Sequence, residues 1–219
     1  NPSVLTPEPT LIHRPRSYFE RLDLSQLLAV RQPLEVELGS GDGTFLAQYA
    51  GAHPDHNFLG VERLLGRLRK LDRKGRRAGL SNLVALRVEA AYFLEFMLPR
   101  ESVRALHVYF PDPWPKRRHW KNRLVNERFP ELVCQALEPT GVVYLRTDNA
   151  NYFAQMTRVF EAHSAFAKVE TPAALVERVT DFEREFQARG ISTLRAAFQR
   201  TGGEQLIHPR RDTPEESSQ

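Results

Sequence analysis

The sequence predicts an α/β fold in which a mainly parallel β-sheet is covered by helices on both faces. Short apolar runs typical of strands alternate with amphipathic segments of helical period along most of the 219-residue chain. Apolar residues make up 41% of the chain and aromatic residues 10%, which is enough to bury one sizeable core. The alternation and the length together indicate one domain of parallel strands joined by crossover helices.

Seven strands and six helices are expected, because apolar runs of the right period stop at glycine, proline or charged residues. The strands are predicted over residues 34–38, 57–61, 83–88, 103–110, 142–145, 166–169 and 191–198. The helices are predicted over residues 44–50, 63–78, 90–97, 129–137, 149–162 and 182–188. Gly79 closes the second helix, Pro139 limits the fourth and Gly190 closes the last.

The two ends of the chain are expected to lie outside the main domain, which is predicted to span residues 33–200. Residues 1–32 are predicted to form an N-terminal arm and a short helix, because four prolines interrupt residues 1–17 and a helical apolar spacing follows them. Residues 201–219 are polar, with two prolines and two serines, and are predicted to form a disordered tail.

Charge and cysteine content narrow the class of protein. The sequence pI is 9.4 and the cations are clustered, which favours an anionic partner at one face. Cys134 is the only cysteine, so no internal disulfide can form and a cytoplasmic location is expected. No apolar run approaches the roughly 20 residues that span a bilayer. A membrane is therefore not an expected partner. His53 and His56 have no cysteine or further histidine nearby, so no metal site is expected.

A glycine-rich turn follows the first strand and points to a nucleoside cofactor. Gly39, Gly41 and Gly43 allow a tight strand-to-helix turn and a close approach of a ligand to the backbone. Glu62 ends the second strand about 20 residues later, where a carboxylate can accept hydrogen bonds from ribose hydroxyls. The nicotinamide fingerprint requires a third glycine at position 44, which is Thr44 here, and no Gly-Lys-Ser or Gly-Lys-Thr sequence indicates a P-loop.

A basic and aromatic loop follows the fourth strand. Asp112 lies between two prolines that end the strand. Both tryptophans of the chain, Trp114 and Trp120, lie nearby. The same loop carries five cations: Lys116, Arg117, Arg118, Lys121 and Arg123. Cations that bind phosphates and rings that stack on bases are typical of a nucleic-acid interface, although a solvated basic loop is the alternative.

In a parallel sheet with right-handed crossovers, the loops that follow the strands gather along one edge. That edge is expected to collect residues 39–43, Glu62, Glu89, Asp112 and Asp148. The candidate site therefore combines a nucleoside pocket with the basic loop.

Two sets of motifs carry a family resemblance. Glu37 with the three glycines resembles the first motif of class I S-adenosylmethionine-dependent methyltransferases, Glu-x-Gly-x-Gly-x-Gly. Residues 110–119, followed by residues 123–125, resemble the signature of the bacterial tRNA (guanine-N7)-methyltransferase family, also called TrmB. Thr147-Asp148 is similar to a second motif of that family, and residues 180–183 are similar to its Thr-Lys-Phe-Glu motif.

The resemblance implies a Rossmann-like class I methyltransferase fold with a seven-stranded, mostly parallel sheet. It implies transfer of a methyl group from S-adenosylmethionine to N7 of a guanosine in the tRNA variable loop, by a monomer or homodimer with no obligate protein partner. The implied cofactor-binding residues are Glu37, Gly39, Gly41, Gly43, Glu62, Glu89 and Asp112, with Asp112 also catalytic. The implied substrate-binding residues are Lys116, Asp148, Thr180, Asp181, Phe182 and Glu183. Glu89 is one methylene longer than the family's usual aspartate, and Asp181 replaces its lysine.

The chemistry of guanine N7 suggests a role for Asp112. N7 carries a free lone pair at neutral pH, so transfer from a sulfonium needs alignment and no general base. Asp112 is interpreted as an orienting residue that accepts hydrogen bonds from the Watson–Crick edge and offsets the positive charge that develops on the ring. Lys116, Arg117 and Arg118 are expected to bind phosphates, with Trp114 or Trp120 stacking on a base.

Two other functions stay open at this point. A class I methyltransferase acting on an exocyclic amine of nucleic acid also has an acidic or amide residue and prolines after its fourth strand. A non-catalytic RNA-binding module would keep the basic loop, but retention of Glu37, the glycines and Glu62 argues against it. Cys134 lies in a helix far in sequence from the loop motifs, which disfavours a reaction that needs a cysteine nucleophile.

Overall fold

The computed structural model describes residues 9–201, apart from the side chain of Asp181. One sheet contains all the strands of this part of the chain: β1 Ile12–His13, β2 Leu34–Leu38, β3 Asn57–Val61, β4 Leu83–Leu86, β5 Val103–Tyr109, β6 Leu137–Thr147, β7 Phe166–Val169 and β8 Leu194–Arg200. The strand order is β1-β4-β3-β2-β5-β6-β8-β7. All pairings are parallel except those that β8 makes with β6 and β7.

Helices cover both faces of the sheet, as predicted. They are α1 Leu24–Leu27, α2 Thr44–Ala52, α3 Leu65–Arg77, α4 Ala90–Tyr92, α5 Phe129–Ala136, α6 Ala150–Glu161, α7 Ala173–Val176 and α8 Asp181–Ala188. A π-helical turn, Phe93–Met97, continues α4, and a 3₁₀ helix covers Arg117–Asn122. Side chains of α2, α3 and α7 belong to the core of one face, and those of the π-helical turn, α5 and α6 to the core of the other. No helix within residues 9–201 is long and apolar enough to cross a bilayer.

All seven predicted strands are present, and an eighth comes from the predicted N-terminal arm. In β1, Ile12 pairs with Ala85 and His13 with Leu86 at the edge of the sheet. Asp72 of α3 fixes the approach to β1 because its carboxylate accepts hydrogen bonds from the Leu11 amide (2.7 Å) and the Thr10 hydroxyl (3.1 Å). A strand of two residues has no detectable period, so the sequence did not predict it. The predictions for residues 1–8 and 202–219 lie outside the described residues.

The start of β6 also differs from the prediction. Helix α5 ends at Ala136 and β6 begins at Leu137, five residues before the predicted start. Leu137 pairs with Val103, and Val142 pairs with Ala105, so the register shifts between the two pairs. This irregular start accommodates Pro139, which has no amide hydrogen for a regular ladder. Next to β6 in the sheet, β8 begins at Leu194, three residues later than predicted.

A polar chain crosses the buried part of the sheet. Glu35 of β2 is 4% exposed, and its carboxylate contacts His56 Nδ1 at 2.7 Å and His107 Nε2 at 2.6 Å. His107 Nδ1 in turn contacts the Tyr109 hydroxyl at 2.6 Å. Burial opposes ionisation of Glu35, but the two histidines outweigh it and hold the pKa of this carboxyl below its usual value. Complete hydrogen bonding explains how a glutamate is tolerated in a buried strand.

The order of strands fixes the place for a ligand. The chain proceeds from β2 to β3 and β4 on one side of the sheet and from β5 to β6 on the other. Strands β2 and β5 are neighbours, and the loops that follow them run to opposite sides of the sheet. A crevice therefore lies between these two loops at the carboxyl ends of the strands. Ligands of open α/β sheets bind in such a crevice.

Candidate active site

A cleft of about 320 Å³ lies at this crevice. Its floor comes from the end of β2 and the turn that follows, and one wall comes from the end of β5. The first turns of α3 and the start of α8 supply the remaining walls. The lining residues are Glu37, Gly39, Ser40, Gly41, Asp42, Thr44, Phe45, Arg67, Lys70, Tyr109, Phe110, Thr180, Phe182 and Glu185.

The glycine-rich turn has the backbone that its sequence predicts. Gly39, Gly41 and Gly43 all have positive φ, at 79°, 57° and 76°, a region that residues with a Cβ rarely adopt. A Cβ on Gly43 would lie 2.2 Å from Leu71 Cδ1, so this glycine is also needed for the packing of α3 against the turn. The Glu62 carboxylate accepts hydrogen bonds from the amides of Gly41 (3.1 Å) and Leu64 (2.8 Å). Glu62 therefore braces the turn from the end of β3.

Glu37 carries the strongest chemical signal in the cleft. Its side chain is 4% exposed, and Oε2 has no hydrogen-bond partner among residues 9–201. Desolvation raises the pKa of Glu37 well above the usual range, and the positive charge of Arg146 offsets only part of that effect. Ser40 Oγ is a second buried atom without a partner among residues 9–201, and Ser40 lines the same cleft. A cleft lined by an unpaired carboxylate and an unpaired hydroxyl fits a cationic, hydrogen-bonding ligand.

The loop that carries Asp112 has a strained backbone. Phe110 and Trp114, on either side of Asp112, have φ of 49° and 44°, which is unfavourable for aromatic residues. Asp112 is exposed, and its Oδ1 accepts a hydrogen bond from the Trp114 amide at 3.0 Å. Oδ2 of Asp112 has no hydrogen-bond partner among the described residues. The loop therefore presents one free carboxylate oxygen.

Buried Arg123 connects this loop to α6. It is 2% exposed, and its guanidinium lies 4.5 Å from the Trp120 ring and 4.7 Å from the Tyr152 ring. Nε donates to the Pro113 carbonyl at 2.7 Å, while the two Nη atoms donate to the side chains of α6 at 2.8 and 3.0 Å. Arg123 is thus the one member of the five cations in the loop that is buried. It is therefore unavailable to a phosphate, whereas Lys116, Arg117 and Arg118, which are expected to bind phosphates, are exposed.

The start of α8 is fixed by a buried ion-pair network. Thr180 and Glu183 form a capping box, with Thr180 N donating to Glu183 Oε2 at 2.7 Å. Glu183 is 0% exposed and also accepts from Arg146 Nη1 (2.9 Å) and Arg195 Nη2 (2.5 Å). This burial differs from the predicted contact of Glu183 with the substrate, because both carboxylate oxygens are occupied inside the protein. Glu183 instead positions Thr180 and Phe182 at the cleft.

Comparison with known proteins agrees with these features. Residues 31–196 match a family model described as "Putative methyltransferase". The chain is 33% identical to a tRNA (guanine-N(7)-)-methyltransferase of Syntrophotalea carbinolica over 183 residues, which are 82% of this chain and 79% of the relative. It is 37% identical to a protein of the same name from Leifsonia xyli subsp. xyli over 176 residues, 78% of each chain. The chain belongs to the tRNA (guanine-N7)-methyltransferase family.

Solved structures place this member of the tRNA (guanine-N7)-methyltransferase family in the class I methyltransferase fold. The 16S rRNA methyltransferase KamB aligns with a TM-score of 0.59 at 15% identity, over 83% of this chain and 95% of that chain. TrmN from Thermus thermophilus aligns with a TM-score of 0.56 at 17% identity, over 81% of this chain and 47% of that chain. The predicted fold is confirmed, with eight strands in place of seven.

Apart from Asp181, whose side chain is not described, the predicted site residues of this family member fall into two groups. The cleft is lined by Glu37, Gly39, Gly41, Thr180 and Phe182. Those that do not line it are Gly43, Glu62, Glu89, Asp112, Lys116, Asp148 and Glu183. Glu89 caps α4, since its carboxylate accepts from the amides of Ala91 (3.0 Å) and Tyr92 (2.8 Å). Asp112 and Lys116 lie on the exposed loop beyond β5.

The sequence did not indicate the role of Arg146. This arginine is 1% exposed, its guanidinium lies 4.2 Å from the Tyr109 ring, and Nη2 donates to the Leu175 carbonyl at 2.6 Å. It thereby ties β6 to α7 and α8. The sequence does contain one indication of this role, because Arg146 lies just before Thr147 at the end of an apolar strand. A cation buried there needs an acidic partner from another element.

Proposed function

We propose that this chain transfers a methyl group from S-adenosylmethionine to N7 of a guanosine in the variable loop of tRNA, giving 7-methylguanosine. Relatives in its family carry the name tRNA (guanine-N(7)-)-methyltransferase. The observation that carries the proposal is the buried, unpaired Glu37 carboxylate beside a positive-φ glycine turn, in a cleft at the switch point of the sheet. That combination fits a ligand that is both a nucleoside and a cation.

The cofactor residues fit S-adenosylmethionine by their chemistry. S-adenosylmethionine supplies an activated methyl group on a cationic sulfonium and also carries an ammonium group. Glu37 Oε2 is a buried acceptor without a partner, which suits an ammonium donor. Gly39 and Gly41 leave open space where a Cβ would project, so a ligand can approach the backbone there. Glu62, Gly43 and Glu89 would support this pocket by holding the turn and the start of α4.

Asp112 would orient the guanine. Its free oxygen can accept hydrogen bonds from the N1 and exocyclic amino donors of the base, which leaves N7 directed away from the carboxylate. The carboxylate would also offset the positive charge that the ring acquires. Because N7 carries no proton, this role requires no proton transfer to Asp112.

The rim of the cleft offers contacts for the nucleotide. Phe182 is 50% exposed and lies 6.3 Å from the Phe110 ring, so its free face can stack on a base. Lys116 on the loop of Asp112 is exposed and suits a phosphate. Thr180, Asp148 and Asp181 remain predicted substrate residues. We further propose that the protein acts in the cytoplasm, as a monomer or homodimer without an obligate partner subunit.

The first test is methyl transfer to a tRNA transcript that lacks modifications. We expect nucleoside mass spectrometry to detect 7-methylguanosine and mapping to confine it to the variable loop. A matched transcript with adenosine in place of that guanosine should accept no methyl group. A methyl group on an exocyclic amine would overturn the proposed substrate atom, and no methylation despite cofactor binding would overturn the proposed reaction.

The role of Asp112 is tested by Asp112→Asn, which preserves shape and removes the charge. We expect kcat to fall by about 100-fold, the scale of losing one electrostatic contact made in the transition state. Binding of tRNA, measured by fluorescence anisotropy, should change little. Wild-type turnover in this variant would refute the orienting role.

A further inference from the structure

Helix α3 has an unusual charge distribution. Seven of its thirteen residues are cationic, namely Arg67, Arg69, Lys70, Arg73, Lys74, Arg76 and Arg77. Asp72 is its only acidic residue, and it points inward at 7% exposure. Cations three or four residues apart repel one another and destabilise a helix. If this face of α3 only contacted solvent, acidic residues between the cations would make the helix more stable. The exposed face of α3 has no acidic residue.

The geometry of the helix sorts these cations. Leu68, Leu71 and Gly75 face the core. At 3.6 residues per turn, Lys70, Arg73 and Arg77 lie on the opposite side, one above another at spacings of three and four residues. All three are exposed. They form a row that extends roughly 10 Å along a helix about 20 Å long.

Two acidic side chains at the helix already pair with other cations. Asp42 pairs with Lys74 at 2.7 Å, and Asp72 pairs with Arg76 at 3.1 Å. Within residues 9–201, no carboxylate forms a salt bridge with Lys70, Arg73 or Arg77. The row therefore keeps its full positive charge toward solvent.

The row begins at the candidate active site. Arg67 and Lys70, on the first two turns of α3, line the same cleft as Glu37 and Phe182. From there the row continues along the helix away from the cleft. A polyanion whose reacting group enters the cleft would pass over the row, because the row is continuous with the cleft wall.

We propose that the outer row of α3, Lys70, Arg73 and Arg77, binds backbone phosphates of the same RNA whose guanosine enters the cleft. This inference rests on the proposed function for the identity of the RNA. The occupant is an RNA backbone because evenly spaced, unpaired cations match repeated phosphates, and because the row leads from the site of the base.

The test uses the two members of the row that lie outside the cleft. In Arg73→Ala/Arg77→Ala, alanine preserves the helix because it has the highest helix propensity. We expect the Kd for tRNA to rise roughly tenfold, and the slope of log Kd against log salt to fall by about 2, one for each lost phosphate contact. The kcat at saturating tRNA and the affinity for S-adenosylmethionine should not change.

The matched control is Arg31→Ala/Arg100→Ala. This variant loses the same charge from two exposed cations that lie just before β2 and β5, at the end of the strands away from the cleft. Its tRNA affinity and salt slope should equal those of the wild type. If Arg73→Ala/Arg77→Ala also matches the wild type, or if both variants weaken binding equally, the row is not an RNA site.

Binding and turnover are measured separately, so the two proposals can fail independently. Wild-type protein that forms 7-methylguanosine while Arg73→Ala/Arg77→Ala binds tRNA normally would refute the row alone. Wild-type protein that binds tRNA through the row but forms no 7-methylguanosine would refute the proposed reaction alone. A variant that unfolds is replaced by Arg73→Gln/Arg77→Gln, with the same expectations.

Discussion

Glu37 keeps an unpaired carboxylate oxygen in a buried position, which is unfavourable for the protein alone. Its raised pKa means that the folded state holds this proton to a higher pH than the unfolded state does. Between the unfolded and the folded pKa, unfolding therefore releases a proton, and the free energy of unfolding falls as the pH rises. Below the unfolded pKa, both states are protonated and this loss is absent. The cost disappears when a ligand supplies a donor.

Glu37→Gln should therefore stabilise the protein without ligand. We expect a gain of about 1–3 kcal/mol at pH 8, the scale of one unsatisfied buried group, and a much smaller gain near pH 4. Urea unfolding at both pH values measures it. The same variant should bind S-adenosylmethionine more weakly. Equal stability of Glu37→Gln and wild type at pH 8 would show that the unpaired Glu37 carboxyl group does not destabilise the protein.

Arg123 offers a second test at a single residue. Arg123→Lys keeps the charge but loses the planar group that bridges the Pro113 carbonyl and α6. We expect kcat to fall by about tenfold, while KM for tRNA stays constant. A less ordered loop needs to raise the activation free energy by only about 1.4 kcal/mol to produce that change. Lys121→Ala, an exposed cation on the same loop, should instead raise KM and leave kcat constant. The reverse pattern would show that Arg123 contacts RNA.

At the scale of elements, α8 depends on one buried glutamate for its position. Arg146 of β6 and Arg195 of β8 both donate to Glu183, so the helix is tied to two neighbouring strands of the sheet. The Thr-x-Phe-Glu pattern predicted that these residues act together. It did not reveal that the glutamate faces inward, because residue type alone does not tell whether a carboxylate meets a cation or solvent.

Glu183→Gln should lower the free energy of unfolding by about 3 kcal/mol, because it leaves two cations with a neutral partner in a buried site. It should also lower kcat/KM for tRNA, since Phe182 loses its support. Thermal and urea unfolding measure the first effect. Glu185→Gln lies on the same helix and is exposed, so it should change the stability by less than about 0.5 kcal/mol. Equal effects of the two variants would contradict the anchoring role.

Strand β1 is the other element whose contribution can be measured. Deleting residues 1–16 removes β1 and exposes the edge of β4, together with the apolar surface that Leu11 covers above Gly75. We expect a loss of about 2 kcal/mol and a greater tendency to self-associate through the free edge, detected by urea unfolding and light scattering. Deletion of residues 1–8 alone leaves β1 in place and serves as the control. Unchanged stability after the longer deletion would show that β1 is dispensable.

For the whole molecule, the parallel topology made the place of the site predictable. Parallel strands bring their carboxyl ends to one edge, so the sequence alone assigns Gly39, Glu62 and Asp112 to that edge. The side-chain contacts of residues at this edge could not be predicted from the topology. Glu89 caps a helix and Arg123 lies under a loop, and both depend on side-chain directions that loops of irregular backbone determine. Sequence patterns specified the regular elements and left these local geometries open.

The reversed strand β8 has a practical consequence for experiments on this protein. Leu194 pairs with Thr147 near the cleft edge, and Gln199 pairs with Val142 toward the opposite edge. The described chain thus leaves the sheet at Thr201, whose amide donates to the Ala165 carbonyl, on the side away from the cleft. A linker attached after this residue would tether the molecule to a sensor surface or a fluorophore with its cleft facing the solution, so immobilised protein could still receive a macromolecule as large as tRNA.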